Sequence, residues 1–158
     1  MKKGSTLFLK VVLCLIAIVA FIGILWFPQT EGRAAHLDFV SIYADPFILY
    51  GFIASIPFFF GLYQAFTLLN LIDRNKAFSQ SAVNTLKNMK YASLALIGFI
   101  AGGILFIRFF ANGDDPAGPT MLGFLVSFSA AVIATACGVF QKLLQNAVDL
   151  KSENDLTV

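Results

Sequence analysis

The run FILYGFIASIPFFFGLYQAFTLLNL, from Phe47 to Leu71, contains no Asp, Glu, Lys or Arg. About 20 apolar residues of helix cross a hydrocarbon core ~30 Å thick, so this run is long enough to span a membrane. A second uncharged run, MLGFLVSFSAAVIATACGVF, extends from Met121 to Phe140. Two more, Val11 to Phe27 and Tyr91 to Ile107, complete a set of four. Working outward from these runs, we expect spans at about 8–27, 47–71, 91–108 and 120–140. The predicted fold class is all-α: a polytopic membrane four-helix bundle, in one domain covering 1–158. Composition agrees. Hydrophobic residues make up 58% of the chain and charged residues 13%, whereas soluble domains run nearer a quarter charged.

The basic residues set the expected orientation. Lys2, Lys3 and Lys10 precede the first span; Arg74, Lys76, Lys87 and Lys90 lie in or beside the middle connector; Lys142 and Lys151 follow the last span. Only Arg33 and Arg108 fall in the two other loops. The positive-inside rule then places both termini and the connector 72–90 in the cytoplasm, N-in/C-in. The localisation expected is the bacterial cytoplasmic membrane. The first run resembles a signal peptide in opening with Met-Lys-Lys-Gly. Yet it exceeds a ~7–15 residue h-region and no A-x-A site follows it, so it reads as a span.

Several local features carry structural expectations. Pro28 is expected to stop the first helix. The stretch Leu37 to Tyr43 is too apolar for a solvated loop and reads as a short interfacial segment. Asp45 is placed to cap the second span, with Pro46 at its first helical position. Pro57 removes a backbone donor from the middle of that span. Ser79 or Ser81 caps the next helix, whose amphipathic start (Val83, Leu86 and Met89 on one face) runs into the third span without a breaker. Past the fourth span, a helical stripe continues through the C-terminal segment 141–158.

Four groups of residues are candidates for function. Tyr63, Gln64, Thr67, Asn70 and Arg74 follow helical spacing and form a polar stripe. Its readings are interhelical hydrogen bonding or one wall of a polar cavity, and the first is favoured because no ionisable group joins the stripe within the membrane. Gly98 and Gly102 make a GxxxG pair, and the fourth span repeats small residues every four positions in two rows, Gly123, Ser127, Ala131, Thr135 and Ala130, Ala134, Gly138. Such ridges let backbones approach closely, within the bundle or in a homo-oligomer. Leu143, Leu144, Val148, Leu156 and Val158 are candidate partner-binding residues. Cys14 and Cys137 are expected at matching depth on neighbouring first and fourth helices, with free thiols.

Much chemistry is not encoded. The sole histidine, His36, has only Asp38 and Asp45 nearby, and the default is a solvated loop. No Cys/His cluster, P-loop or activated nucleophile is present. We therefore expect no catalytic residues, no metal and no cofactor, and no enzyme.

The strings Ile56-Pro57-Phe58-Phe59-Phe60 with Tyr63-Gln64, Asp73 through Phe78-Ser79, Leu86-Lys87 to Tyr91, and the tail Lys151 to Val158 stand together in one chain. In these the chain resembles the YoaS-like proteins, a bacterial family of four-helix membrane proteins of unknown function. The resemblance covers essentially the whole chain, and the tail is its most specific part. It implies a genomic neighbour, a small Cro/C1-type helix-turn-helix regulator, and so a membrane component of a two-protein regulatory unit. It implies no catalytic residues. The expected function is thus a regulatory or accessory membrane protein working with that cytoplasmic partner. The alternative is a small transporter, channel or immunity-type protein. Expected partners are membrane lipid, the regulator and a second copy of the chain, with no direct binding of nucleic acid.

Overall fold

The computed structural model describes residues 3–30, 39–110 and 117–155. Five helices follow in order: α1 (Lys3–Thr30), α2 (Phe39–Tyr43), α3 (Pro46–Asp73), α4 (Gln80–Phe110) and α5 (Ala117–Asp155). Among the described residues there is no strand. α1, α3, α4 and α5 are each long and apolar enough to cross a membrane. All four expected spans lie within them.

Helix ends follow from local chemistry. The Asp45 carboxylate accepts from the Phe47 amide at 2.7 Å, and Pro46 fills the first helical position, where its missing N–H is no loss. α3 ends in a Schellman turn. Asn75 adopts a left-handed φ of 57°. The Lys76 amide then reaches the Leu71 carbonyl at 2.8 Å and the Asn75 amide reaches Ile72 at 3.1 Å, satisfying two orphan acceptors. Of the two serines considered as caps for α4, Ser79 does the capping: its hydroxyl accepts from the Ala82 amide at 3.3 Å.

One expected boundary needs correction. Pro28 does not end α1, which continues to Thr30 with the proline inside it. A proline so near the C-terminus removes few ladder bonds. The end of the helix is also held from outside, because the Tyr43 hydroxyl of α2 donates to the Leu25 carbonyl at 2.9 Å. The same hydroxyl accepts from the Gln29 amide group at 2.9 Å. The apolar stretch before α3 therefore forms, over its described part, a single turn of helix that braces α1.

The long helices pack in sequence, each antiparallel to the next. Phe21 of α1 meets Phe59 of α3 edge-on at 6.3 Å, and Lys10 pairs with Asp73 at the other end of the same two helices. Phe47 of α3 stacks on Phe106 of α4 at 6.0 Å. Gln80 of α4 pairs with Gln145 of α5, while a Cβ at Gly123 of α5 would lie 2.9 Å from the Ile104 side chain of α4. α1 and α5 do not pack as neighbours. This overturns the expected adjacency of the first and fourth spans: each helix is held by its sequence neighbour, leaving the two ends of the row apart. Both cysteines are free, Cys14 exposed and Cys137 buried.

The row is tight at the end carrying the connector 74–79. Ala82, Val83 and Leu86 are buried at the start of α4, and Ala130, Ala134 and Cys137 are buried along the middle of α5. These residues are mostly small, so the two backbones come close without a hydrophobic drive. Toward the opposite end α3 and α4 still meet at Phe47–Phe106 and α4 and α5 at Ile104–Gly123, and a cleft opens between α1 and α5.

Candidate functional site

On α5 the stripe turned inward runs Gly123, Ser127, Ala130, Ala134, Cys137 and Gln141, alternating steps of four and three residues. That alternation keeps one seam on a partner helix, as in left-handed coiled-coil packing. An unbroken four-residue row drifts about 40° round the helix at each step. Hence the expected row Gly123, Ser127, Ala131 is followed only to Ser127, and Ala131 is exposed. The GxxxG pair on α4 also divides. Gly102 lies under Tyr50 of α3, whereas a Cβ at Gly98 would meet nothing within 4 Å.

The polar stripe on α3 does not converge. Tyr63 is 65% exposed and its neighbour Gln64 is buried. The Thr67 hydroxyl returns to the Tyr63 carbonyl of its own helix at 2.9 Å. The Asn70 backbone carbonyl accepts from the Arg74 amide in the helix cap, and the Arg74 side chain is exposed. These groups do not line either of the two hollows described next.

The larger hollow is a cleft of 770 Å³ toward the end away from the connector. Gly23 of α1, Gly51 and Ser55 of α3, Leu96 and Ile107 of α4, and Leu122 of α5 all line it. α1 and α5 form its flanks without packing on each other. It exists because glycines stand where side chains would otherwise fill the crossing: a Cβ on Gly23 or Gly51 would meet nothing within 4 Å. No ionisable group lines it. The Ser55 hydroxyl is satisfied by the Phe52 carbonyl at 2.7 Å.

The second hollow, 350 Å³, lies at the connector end between Leu68 and Ile72 of α3, Phe78, Leu86 of α4, and Phe140 and Leu143 of α5. Beyond it, α5 continues to Asp155 as one unbroken helix. The extension is tied to α4 by paired amides. Gln80 donates to Gln145 at 3.2 Å, Gln145 donates back at 3.3 Å, and the Gln145 amide also reaches Asp149 at 2.8 Å. This splits the partner-binding candidates. Leu144 and Val148 lie on the half-buried stripe. Leu143 is 59% exposed, and Leu150, one heptad further on the same outward face, is 66% exposed. Leu156 and Val158 lie outside the described residues, as do His36 and Asp38.

Leu150 was missed in the sequence. Its signal was the seven-residue spacing from Leu143. The cleft was not legible in the sequence, since its lining is assembled from α1, α3, α4 and α5 together. Among the described residues no group of three or more His, Cys, Asp or Glu side chains is placed to hold a metal ion.

Residues 8–158 match the family described as "Protein of unknown function (DUF2975)". The "Uncharacterized membrane protein YoaS" of Bacillus subtilis (strain 168) is 42% identical over 160 residues, covering 100% of both chains. No solved structure matches the chain.

Proposed function

The chain belongs to the DUF2975 family of proteins of unknown function, a multi-pass membrane protein from which we propose a regulatory or accessory component that holds a cytoplasmic protein partner. The observation that carries this reading is the continuous helical extension of α5. It continues past the apolar run, is fastened to α4 by the Gln80–Gln145 pair, and presents Leu143 and Leu150 outward. Exposed leucines one heptad apart on a braced helix suit a helix-in-groove contact with a folded partner. The basic bias supports a cytoplasmic position for this end. The partner we propose is the Cro/C1-type helix-turn-helix regulator that the YoaS-like resemblance implies; nucleic acid would be reached through it, not by this chain. Neither the family description nor the relative's name assigns an enzymatic activity, and we read the chain as a non-enzyme. Transport has less support, because the polar stripe is dispersed over different surfaces.

The test is co-purification of the regulator with the full chain in mild detergent. Leu143→Glu combined with Leu150→Glu should abolish recovery of the regulator while membrane insertion is retained. Equal recovery with the wild-type and doubly substituted chains would overturn the proposal.

A further inference from the structure

The cleft between α1 and α5 is independent of the partner-binding surface and has dimensions that select an occupant. On α3 it extends from Phe47 to Phe58, about 16 Å of helix at the usual rise. One leaflet of hydrocarbon is about half of a ~30 Å core, so cleft and leaflet have the same depth. The walls are apolar and carry no charge. A single file of methylenes fits. At the mouth, Arg108 follows Ile104 by one turn on α4, and Ile104 lines the cleft. Arg108 is exposed and is the only basic residue among those described beyond the cleft's loop end. Asp45, the carboxylate at that end among the described residues, is engaged with the Phe47 amide.

We propose that the cleft seats an acyl chain of a phospholipid whose phosphate lies against Arg108. In this arrangement the lipid fills the gap between α1 and α5 and completes the bundle. The guanidinium supplies a planar, permanently charged partner for phosphate oxygens. Gly23 and Gly51 are the residues that keep the space open.

The experiment exposes detergent-purified protein to vesicles containing equal amounts of dioleoyl phosphatidylglycerol and dioleoyl phosphatidylcholine, then counts bound lipid by native mass spectrometry. The full chain should retain one phospholipid, with phosphatidylglycerol favoured. Gly51→Phe, and separately Gly23→Phe, place a ring in the cleft and should lower retention about tenfold, the effect of displacing about two buried methylenes. Arg108→Gln should keep the lipid but lose the headgroup preference. Equal retention by the wild type and both cleft-filling variants would overturn the proposal. So would a lipid-free dimer, which would make a second copy the occupant. If both variants misfold, the wild type decides: a chain that retains no phospholipid after detergent exchange refutes the site.

Discussion

The Tyr50 hydroxyl of α3 donates to the Phe99 carbonyl of α4 across 2.6 Å, directly above Gly102. A Cβ at Gly102 would stand 2.6 Å from that hydroxyl oxygen but 3.7 Å from the ring carbon that bears it. The glycine therefore makes room for one oxygen atom. Gly102→Ala should destabilise the protein by roughly 1–3 kcal/mol through overpacking and loss of the hydrogen bond. Tyr50→Phe alone should cost about 0.5–1.5 kcal/mol. In the Tyr50→Phe background the alanine meets only ordinary contact, so its added cost should nearly vanish. Thermal unfolding in detergent of the two single variants and the double variant measures this coupling. Strict additivity would show that Tyr50 and Gly102 do not share a site.

Lys10 of α1 pairs with Asp73 at the end of α3, and its ammonium also lies 5.8 Å from the centre of the Phe66 ring. The two charged side chains are 18% and 29% exposed, so solvent screens the pair and its worth is modest, about 1 kcal/mol. α1 packs on nothing larger than α3, which makes the pair matter locally. Lys10→Gln should accelerate amide exchange in the first turns of α1 more than in α4 or α5. Exchanging the charges, Lys10→Asp with Asp73→Lys, should restore part of the protection. Uniform exchange across all helices in Lys10→Gln would contradict the local role.

The spans and most helix ends were legible because each depends on a few consecutive residues. Asp45-Pro46 and Ser79 act within one turn, and a run without charge from Phe47 to Leu71 has one physical meaning. Pro28 was misread for the opposite reason: the helix continues past it with help from Tyr43, which is fifteen residues away. The ridge on α5 was half legible. Small residues mark a packing surface, but two rows of them were available. Which row faces inward depends on the seam offered by α4, and Ala130 and Ala134 were chosen over Ala131. The order of helices was not legible at all. The first span is apolar all round from Val11 to Phe27, so no face of α1 declares that it will pack on α3 and leave α5.

The N-in/C-in orientation proposed from the charge bias has a direct test. In a chain carrying Cys14→Ala and Cys137→Ala, a cysteine at Ser81 or Ser152 should be shielded from a membrane-impermeant thiol reagent in intact cells. A cysteine at Ala117 should be labelled. All three positions are exposed on the protein surface, so protection would report the membrane rather than burial. The reverse pattern would invert the orientation and with it the cytoplasmic position proposed for Leu143 and Leu150.

The last prediction concerns the native thiols. Cys137 is buried on the inward stripe of α5, between Ala134 and Gln141, and that stripe is the one that meets α4. Cys14 is exposed on α1, which packs on α3. A disulfide needs Cα atoms within ~7 Å and Cβ vectors that point together. With α3 and α4 standing between them in the row, the two cysteines meet neither condition. Copper-phenanthroline oxidation of isolated membranes should leave the intramolecular pair unlinked, read by mass spectrometry of the non-reduced chain. Cys14 should react with a lipid-soluble maleimide well before Cys137 does. A rapid, quantitative intramolecular bridge would require α1 and α5 to close on each other. That closure would also close the flanks of the apolar cleft, so the same measurement in the presence and absence of phospholipid distinguishes a lipid-filled gap from a bundle that shuts when empty.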